Sequence, residues 1–188
     1  MWGCEDIPRE SLSRYLRRET ARRDIRGLVI HHTGTSAACG GADSWEQLMR
    51  QHRDQPRLHE GDWDLGVSAE GRVWLLRGAP DRDIRWGSRP DTLEIALWGD
   101  FDVQDPGEEG LAALAAVVAD CCRCYGLEQE DTFLHRDVSR TTCPGMQLKR
   151  YTFRRVLSRL LEAPLRTDRG FRSRPDMRNL GSCLQRCW

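Results

Sequence analysis

Two histidines and a cysteine are the residues of this sequence best placed to do chemistry together. Val29-Ile30-His31-His32 and Phe133-Leu134-His135 each read as an apolar strand ending on histidine. Cys143 follows the second of them, inside Ser139-Arg140-Thr141-Thr142-Cys143-Pro144-Gly145. If the two strands are neighbours in one sheet their tips converge, and the intervening loop is long enough to return a thiolate to both imidazoles. Two nitrogens and a thiolate suit zinc, and three protein ligands leave the fourth tetrahedral position to water, as in catalytic rather than structural sites. Such a metal brings the pKa of its water towards about 7 and polarises a carbonyl oxygen. The plainer alternative is that His31 and His135 end buried strands and Cys143 is a buried thiol before a turn.

The elements that must hold these residues follow from periodicity. A helix is expected from Pro8 to about Thr20, with Leu12, Tyr15 and Leu16 on one face. Gly27 to His31 is a buried strand, and the Gly/Ser/Thr/Ala-rich stretch from Thr33 to Asp43 a loop. Ser44-Trp45-Glu46-Gln47 has capping-box spacing and opens a helix carrying Leu48, Met49 and His52. Trp63 to Ser68 and Arg72 to Arg77 flank Ala69-Glu70-Gly71 as a hairpin, and Thr92 to Trp98 is a further strand. Glu108 to Tyr125 is the clearest helix, Thr132 to His135 a short strand, and Arg150 to Glu162 a last helix stopped by Pro164. This order predicts an α/β fold, a central mixed sheet flanked by helices. Residues 1–26 are expected as an N-terminal helical extension, 27–163 as the principal domain, and 164–188 as an Arg-, Gly- and Pro-rich surface tail.

Composition narrows the function classes. Lys+Arg and Asp+Glu both total 29, so no net field advertises a polyanionic partner. The arginines between Arg14 and Arg26 come with no nucleic-acid recognition motif, and no nucleic-acid partner is expected. No stretch approaches the roughly 20 apolar residues of a membrane span. Met1-Trp2-Gly3-Cys4-Glu5-Asp6 lacks the charged and apolar regions of a secretory signal, so synthesis in the cytoplasm is expected. The eight cysteines are not spaced like a disulfide framework. Cys121, Cys122 and Cys124 fall in a helical pattern as small apolar groups, while Cys183 and Cys187 could pair with each other or with Cys4 in an oxidising medium.

Val29-Ile30-His31-His32-Thr33 and the run from Leu134 to Gly145 resemble the two signature segments of the N-acetylmuramoyl-L-alanine amidases. That superfamily includes the peptidoglycan recognition proteins and phage lysozyme-type amidases. The resemblance extends over about Gly27 to Leu161, taking in the helices, the Glu70-Gly71 hairpin and Ile95 to Phe101 in order. It implies a fold of that kind and a zinc-dependent hydrolysis of the amide between N-acetylmuramic acid and L-alanine, with peptidoglycan or muropeptide as substrate. His31, His135 and Cys143 would then hold the zinc, His32 would point away from it, and Thr141 stands where the family has Thr or Lys to stabilise the oxyanion. A monomer is expected, reaching any cell wall by a route other than a signal peptide.

The sequence departs from the family pattern in two places. Active relatives usually carry a tyrosine on the first hairpin strand, where Trp63 stands here, and Trp cannot act as a base. Asp62 or Asp64 could serve as general base in its place, or could be hairpin surface residues. Trp86-Gly87-Ser88-Arg89 stands where many relatives have a Gly-x-His turn. Trp63 and Trp86, with Trp74, could stack on a sugar or pack the core and rim. His52 is expected to pack its helix rather than touch substrate, and His59 to be solvated. The departures leave open a second function, a module that binds muropeptide without cutting it. A third, a zinc hydrolase of an unrelated amide, also stays open.

Overall fold

Strands that bury both faces organise this chain. Its computed structural model describes residues 3–19, 23–36, 41–54, 63–77 and 91–163. Six strands form one mixed sheet: β1 (Gly3–Ile7), β2 (Gly27–His32), β3 (Leu65–Val67), β4 (Val73–Arg77), β5 (Thr92–Leu97) and β6 (Thr132–Leu134). Their order across the sheet is β1-β4-β3-β5-β2-β6. The run β3-β5-β2-β6 is parallel, while β4 is antiparallel to both β3 and β1. The helices are α1 (Leu12–Glu19), α2 (Ala42–Asp54), α3 (Gly107–Tyr125), the single turn α4 (His135–Val138) and α5 (Arg150–Glu162).

Period-2 alternation splits the apolar residues between two layers. Leu28, Ile30, Val67, Val73, Leu93, Ile95 and Leu97 face α1, α3 and α5, which supply Leu12, Leu16, Leu114, Val118, Phe153 and Leu157. The opposite face carries Trp74, Leu76 and Ala96, covered by Trp63 and by Trp45, Leu48 and Met49 of α2. Burying β2, β3 and β5 on both faces explains why they read as apolar runs rather than as clean alternation. No described helix is long and apolar enough to cross a membrane.

Helix and strand positions follow the sequence expectations except at two places: the strand expected to end on His135 ends at Leu134, where His135 opens the turn α4, and the N-terminus differs. The N-terminal segment is not helical throughout: Gly3–Ile7 is a strand, antiparallel to β4. The helix after it is shorter than expected, a 3-10 turn at Arg9–Ser11 preceding α1. Leu12 and Leu16 belong to the main core, so this segment is built into the fold. The expected tail over residues 164–188 lies outside the described residues, as do Cys183 and Cys187.

Gly66, in the middle of β3, is required by packing. A Cβ there would meet the indole of Trp45 at 2.7 Å. Trp45 is itself fully buried against Trp63, Trp74 and Trp98, so the ring has no room to withdraw. Gly66→Ala is therefore expected to cost about 1–3 kcal/mol by overpacking, read as a lower midpoint in urea unfolding. Gly27→Ala, whose Cβ would find its nearest neighbour at 3.4 Å, is expected to cost less.

Candidate metal centre

The sheet brings the two histidines together through register. β2 pairs with β6 as Leu28↔Thr132, Val29↔Phe133 and Ile30↔Leu134, so the residue after the last pair is His31 on β2 and, at the end of β6, His135, which opens α4. Their ring centroids are 4.4 Å apart. Cys143 is buried, with its Sγ 3.6 Å from His31 Nδ1. One donor atom from each of His31, His135 and Cys143 lies within 4.8 Å of the others. Zinc–nitrogen and zinc–sulfur bonds of about 2.05 and 2.3 Å at a tetrahedral angle separate the two donors by about 3.6 Å. The residues present thus fit a zinc ion in donor type and, for the His31–Cys143 pair, in spacing.

Behind His31 stands a residue that the sequence reading passed over. Glu94 of β5 places Oε2 2.6 Å from His31 Nε2, and the two side chains are 8% and 6% exposed. Its other oxygen, Oε1, accepts from the Thr92 hydroxyl at 2.8 Å. The backbone N–H of Glu94 donates to Asp64 Oδ2 at 2.9 Å, and Asp64 Oδ1 is bound by Arg23 at 2.8 Å. Arg23 also donates to the carbonyl of Thr92. The available signal was a lone acidic residue inside the buried apolar strand Thr92–Leu97.

The loop carrying Cys143 is held from both ends. Asp137 accepts from the amide of Leu134 at 3.0 Å and pairs with Arg150, fixing the turn that carries His135. Arg136 spreads its guanidinium over the carbonyls of Gly145 and Leu148, both at 2.7 Å, while its amide donates to the carbonyl of Cys143 at 2.8 Å. Asp102 accepts from Thr142 Oγ1 at 2.7 Å and from Met146 N at 3.0 Å. These bonds, the Thr142 hydroxyl first, hold the Asp102 carboxyl below its usual range. That clamp is therefore at full strength at neutral pH and is lost only as the pH falls through the lowered value. Gly145, at φ +92°, lies so close to Phe101 that a Cβ would run into its backbone. The spacing of the signature segment is thus a set of tethers around Cys143.

The other expected site residues lie in different places. Thr141 is in the loop, its Oγ1 accepting from Cys143 N at 3.1 Å. His32 is on the opposite face from His31: its Nδ1 accepts from Phe101 N at 3.1 Å. Trp63 is 1% exposed, with its ring centroid 6.4 Å from that of His31, so it packs inside the wall of the centre rather than on an open surface. Trp74 is equally buried. Asp64 commits one oxygen to Arg23 and the other to the Glu94 amide, which makes it a tether of the sheet. Asp62, His59 and Trp86 lie outside the described residues, as does the side chain of His52.

A family model described as N-acetylmuramoyl-L-alanine amidase matches residues 21–146. No curated protein matches the chain. Among solved structures, the chain is similar to the amidase LysC from Clostridium intestinale URNW, at 19% identity and TM-score 0.55, covering 72% of this chain and 87% of that one. The endolysin LysCS from the same organism matches at 20% identity and TM-score 0.54, over 72% and 85%. A bumblebee recognition protein, PGRP-SA, matches at 20% and 0.53, over 68% and 80%. A mutant of Drosophila PGRP-LB, in complex with tracheal cytotoxin, matches at 22% and 0.51, over 67% and 78%. These likenesses show the same fold, a mixed six-stranded sheet with flanking helices.

The tethers carry two expectations. Arg136→Lys keeps the charge but loses the fork that reaches two carbonyls. It is expected to lower stability by about 1.5–3 kcal/mol, measured by urea unfolding. Trp63→Ala empties a buried ring site and is expected to cost about 3–5 kcal/mol, so its first effect is a lower Tm rather than a raised KM.

Proposed function

We propose, for a chain that belongs to the N-acetylmuramoyl-L-alanine amidase family, that it hydrolyses the amide between N-acetylmuramic acid and L-alanine, with zinc held by His31, His135 and Cys143. The observation that carries this reading is the complete donor set, with Cys143 Sγ buried at 3.6 Å from His31 Nδ1. Zinc, when bound, supplies Lewis-acid polarisation of the scissile carbonyl and a water of lowered pKa. The net reaction breaks the C–N bond, adds the elements of water, and leaves a carboxylate on the sugar side and a free amine on alanine. Peptidoglycan or a muropeptide is the proposed substrate, and the tracheal cytotoxin complex of PGRP-LB supports a ligand of that class.

In this reading the chain supplies position and charge stabilisation. Arg136 and Asp102 hold the Cys143 loop against Phe101, which fixes the position of the thiol. Thr141 is fixed beside Cys143 by the bond it accepts from that residue's amide, and a hydroxyl can both accept and donate. Its proposed role is to donate to the oxyanion that develops on the acyl carbonyl. One such donor is typically worth about 2.7–4 kcal/mol.

A second reading rests on the hairpin. Where active relatives carry a tyrosine, this chain has the buried Trp63, and Asp64 is tied to Arg23 and the sheet. Neither offers a base to a bound substrate, which favours a module that binds muropeptide without cutting it.

Incubation with muropeptides separates the readings. Hydrolysis is expected to release an L-alanine amino group, to stop with a chelator, and to return with added zinc. Saturable binding with no amine release would establish the recognition module, and new reducing ends would refute both. Thr141→Ala is expected to lower kcat about a hundred- to thousandfold with zinc retained. A fully metallated variant with near-normal kcat would remove Thr141 from the mechanism.

A further inference from the structure

We infer that Glu94 is the positioning residue of the metal centre, fixing the His31 ring in the tautomer and orientation that present Nδ1 to the ion. The inference rests on the zinc reading above and adds a residue to it. A carboxylate only accepts hydrogen bonds, so the 2.6 Å contact to Nε2 places the imidazole proton on that nitrogen. The lone pair of Nδ1 is then left on the side of the ring facing Cys143 Sγ, 3.6 Å away. A flip of the ring would put carbons where both nitrogens now stand, so the flipped ring could serve neither Glu94 nor Cys143.

Glu94 is itself immobilised. Thr92 occupies its second oxygen at 2.8 Å. Its backbone is pinned through Asp64 to Arg23, so a chain of charge-assisted bonds runs from a partly exposed guanidinium to the ligand ring. Burying a carboxylate in an otherwise apolar strand is costly unless it is paired and hydrogen-bonded. Here both oxygens are, and one partner is a metal-site histidine. Partners of this kind orient a ligating imidazole and raise its basicity, and losing them typically weakens metal binding about 10–100-fold. The same engagement separates Glu94 from a general base, because it reaches the centre through His31.

The test uses the full chain, stripped of metal and titrated with zinc against a chromophoric chelator. Glu94→Met fills much the same volume without an acceptor and is expected to bind zinc about 10–100-fold more weakly than wild type. Glu94→Gln, whose amide oxygen still accepts from Nε2–H, is expected to recover most of that loss. In cobalt(II)-substituted protein the visible bands of Glu94→Met are expected to shift, and those of Glu94→Gln to stay close to wild type. A purely structural role would lower the melting temperature of both variants and leave the zinc affinity of the folded protein unchanged. Nitrogen-15 NMR of the metal-free wild type decides independently, even if Glu94→Met does not fold. His31 is expected as the Nε2–H tautomer, and an Nδ1–H tautomer would overturn the inference. Wild-type uptake of zinc with unchanged affinity in Glu94→Met would overturn this inference alone, whereas a wild type that takes up no zinc overturns the zinc reading with it.

Discussion

Leu28 pairs with Leu93 on one side and Thr132 on the other, and this double register of β2 is the constraint on which the centre depends. Side chains alternate with a period of two, so a slip of one residue would turn His31 into the α1–α3–α5 core and His32 towards Cys143. Nothing local forbids that slip, since His31 and His32 are adjacent and both buried. It is excluded because Leu28 and Ile30 would leave the main core together. The apolar energy of the fold therefore selects which histidine faces the loop.

The polar groups of the centre sit in a wall that is otherwise indole and aliphatic. Trp63 lies against His31, Trp45 lies across Gly66, and Trp74 and Leu76 extend the layer along β4. A wall of this kind excludes water and strengthens each charged bond inside it, but it also makes any unmatched polar group expensive. That combination accounts for the tethering of Glu94, Asp64 and Arg23, and for the double use of Arg136. Loop and sheet are fastened separately. The Cys143 loop hangs on Arg136, Asp102 and Phe101, whereas His31 hangs on Glu94 and β5.

How much of this was legible in the sequence depended on whether a signal was local. The strand carrying His31 and the stripes of α3 and α5 showed because those patterns repeat over neighbouring residues, whereas the turn that opens at His135 is too short to repeat. Cys143 stood in a segment whose residue types are dictated by close contacts, such as that of Gly145 with Phe101. Glu94 was visible as an oddity, but its partner could be named only once β5 lay beside β2. Asp64 looked like a hairpin surface residue because Arg23, its partner, is distant in sequence. Trp63 gave no sign of whether its indole faced solvent or core, since that depends on α2 closing over it. β1 was missed because Gly-Cys-Glu-Asp-Ile has neither alternation nor length, and an edge strand needs only one partner.

That edge strand ties together regions far apart in the chain. Gly3 lies opposite Arg77 and Ile7 opposite Val73, so β1 can dock only after the hairpin that follows it in the chain has emerged. Until then the outer edge of β4 lacks its partner strand. Cys4, opposite Leu76, becomes half-buried against the tryptophan layer when β1 docks. The reactivity of its thiol is therefore a built-in gauge of sheet closure: alkylation should be fast while the edge is open and slow once the last strand is in place.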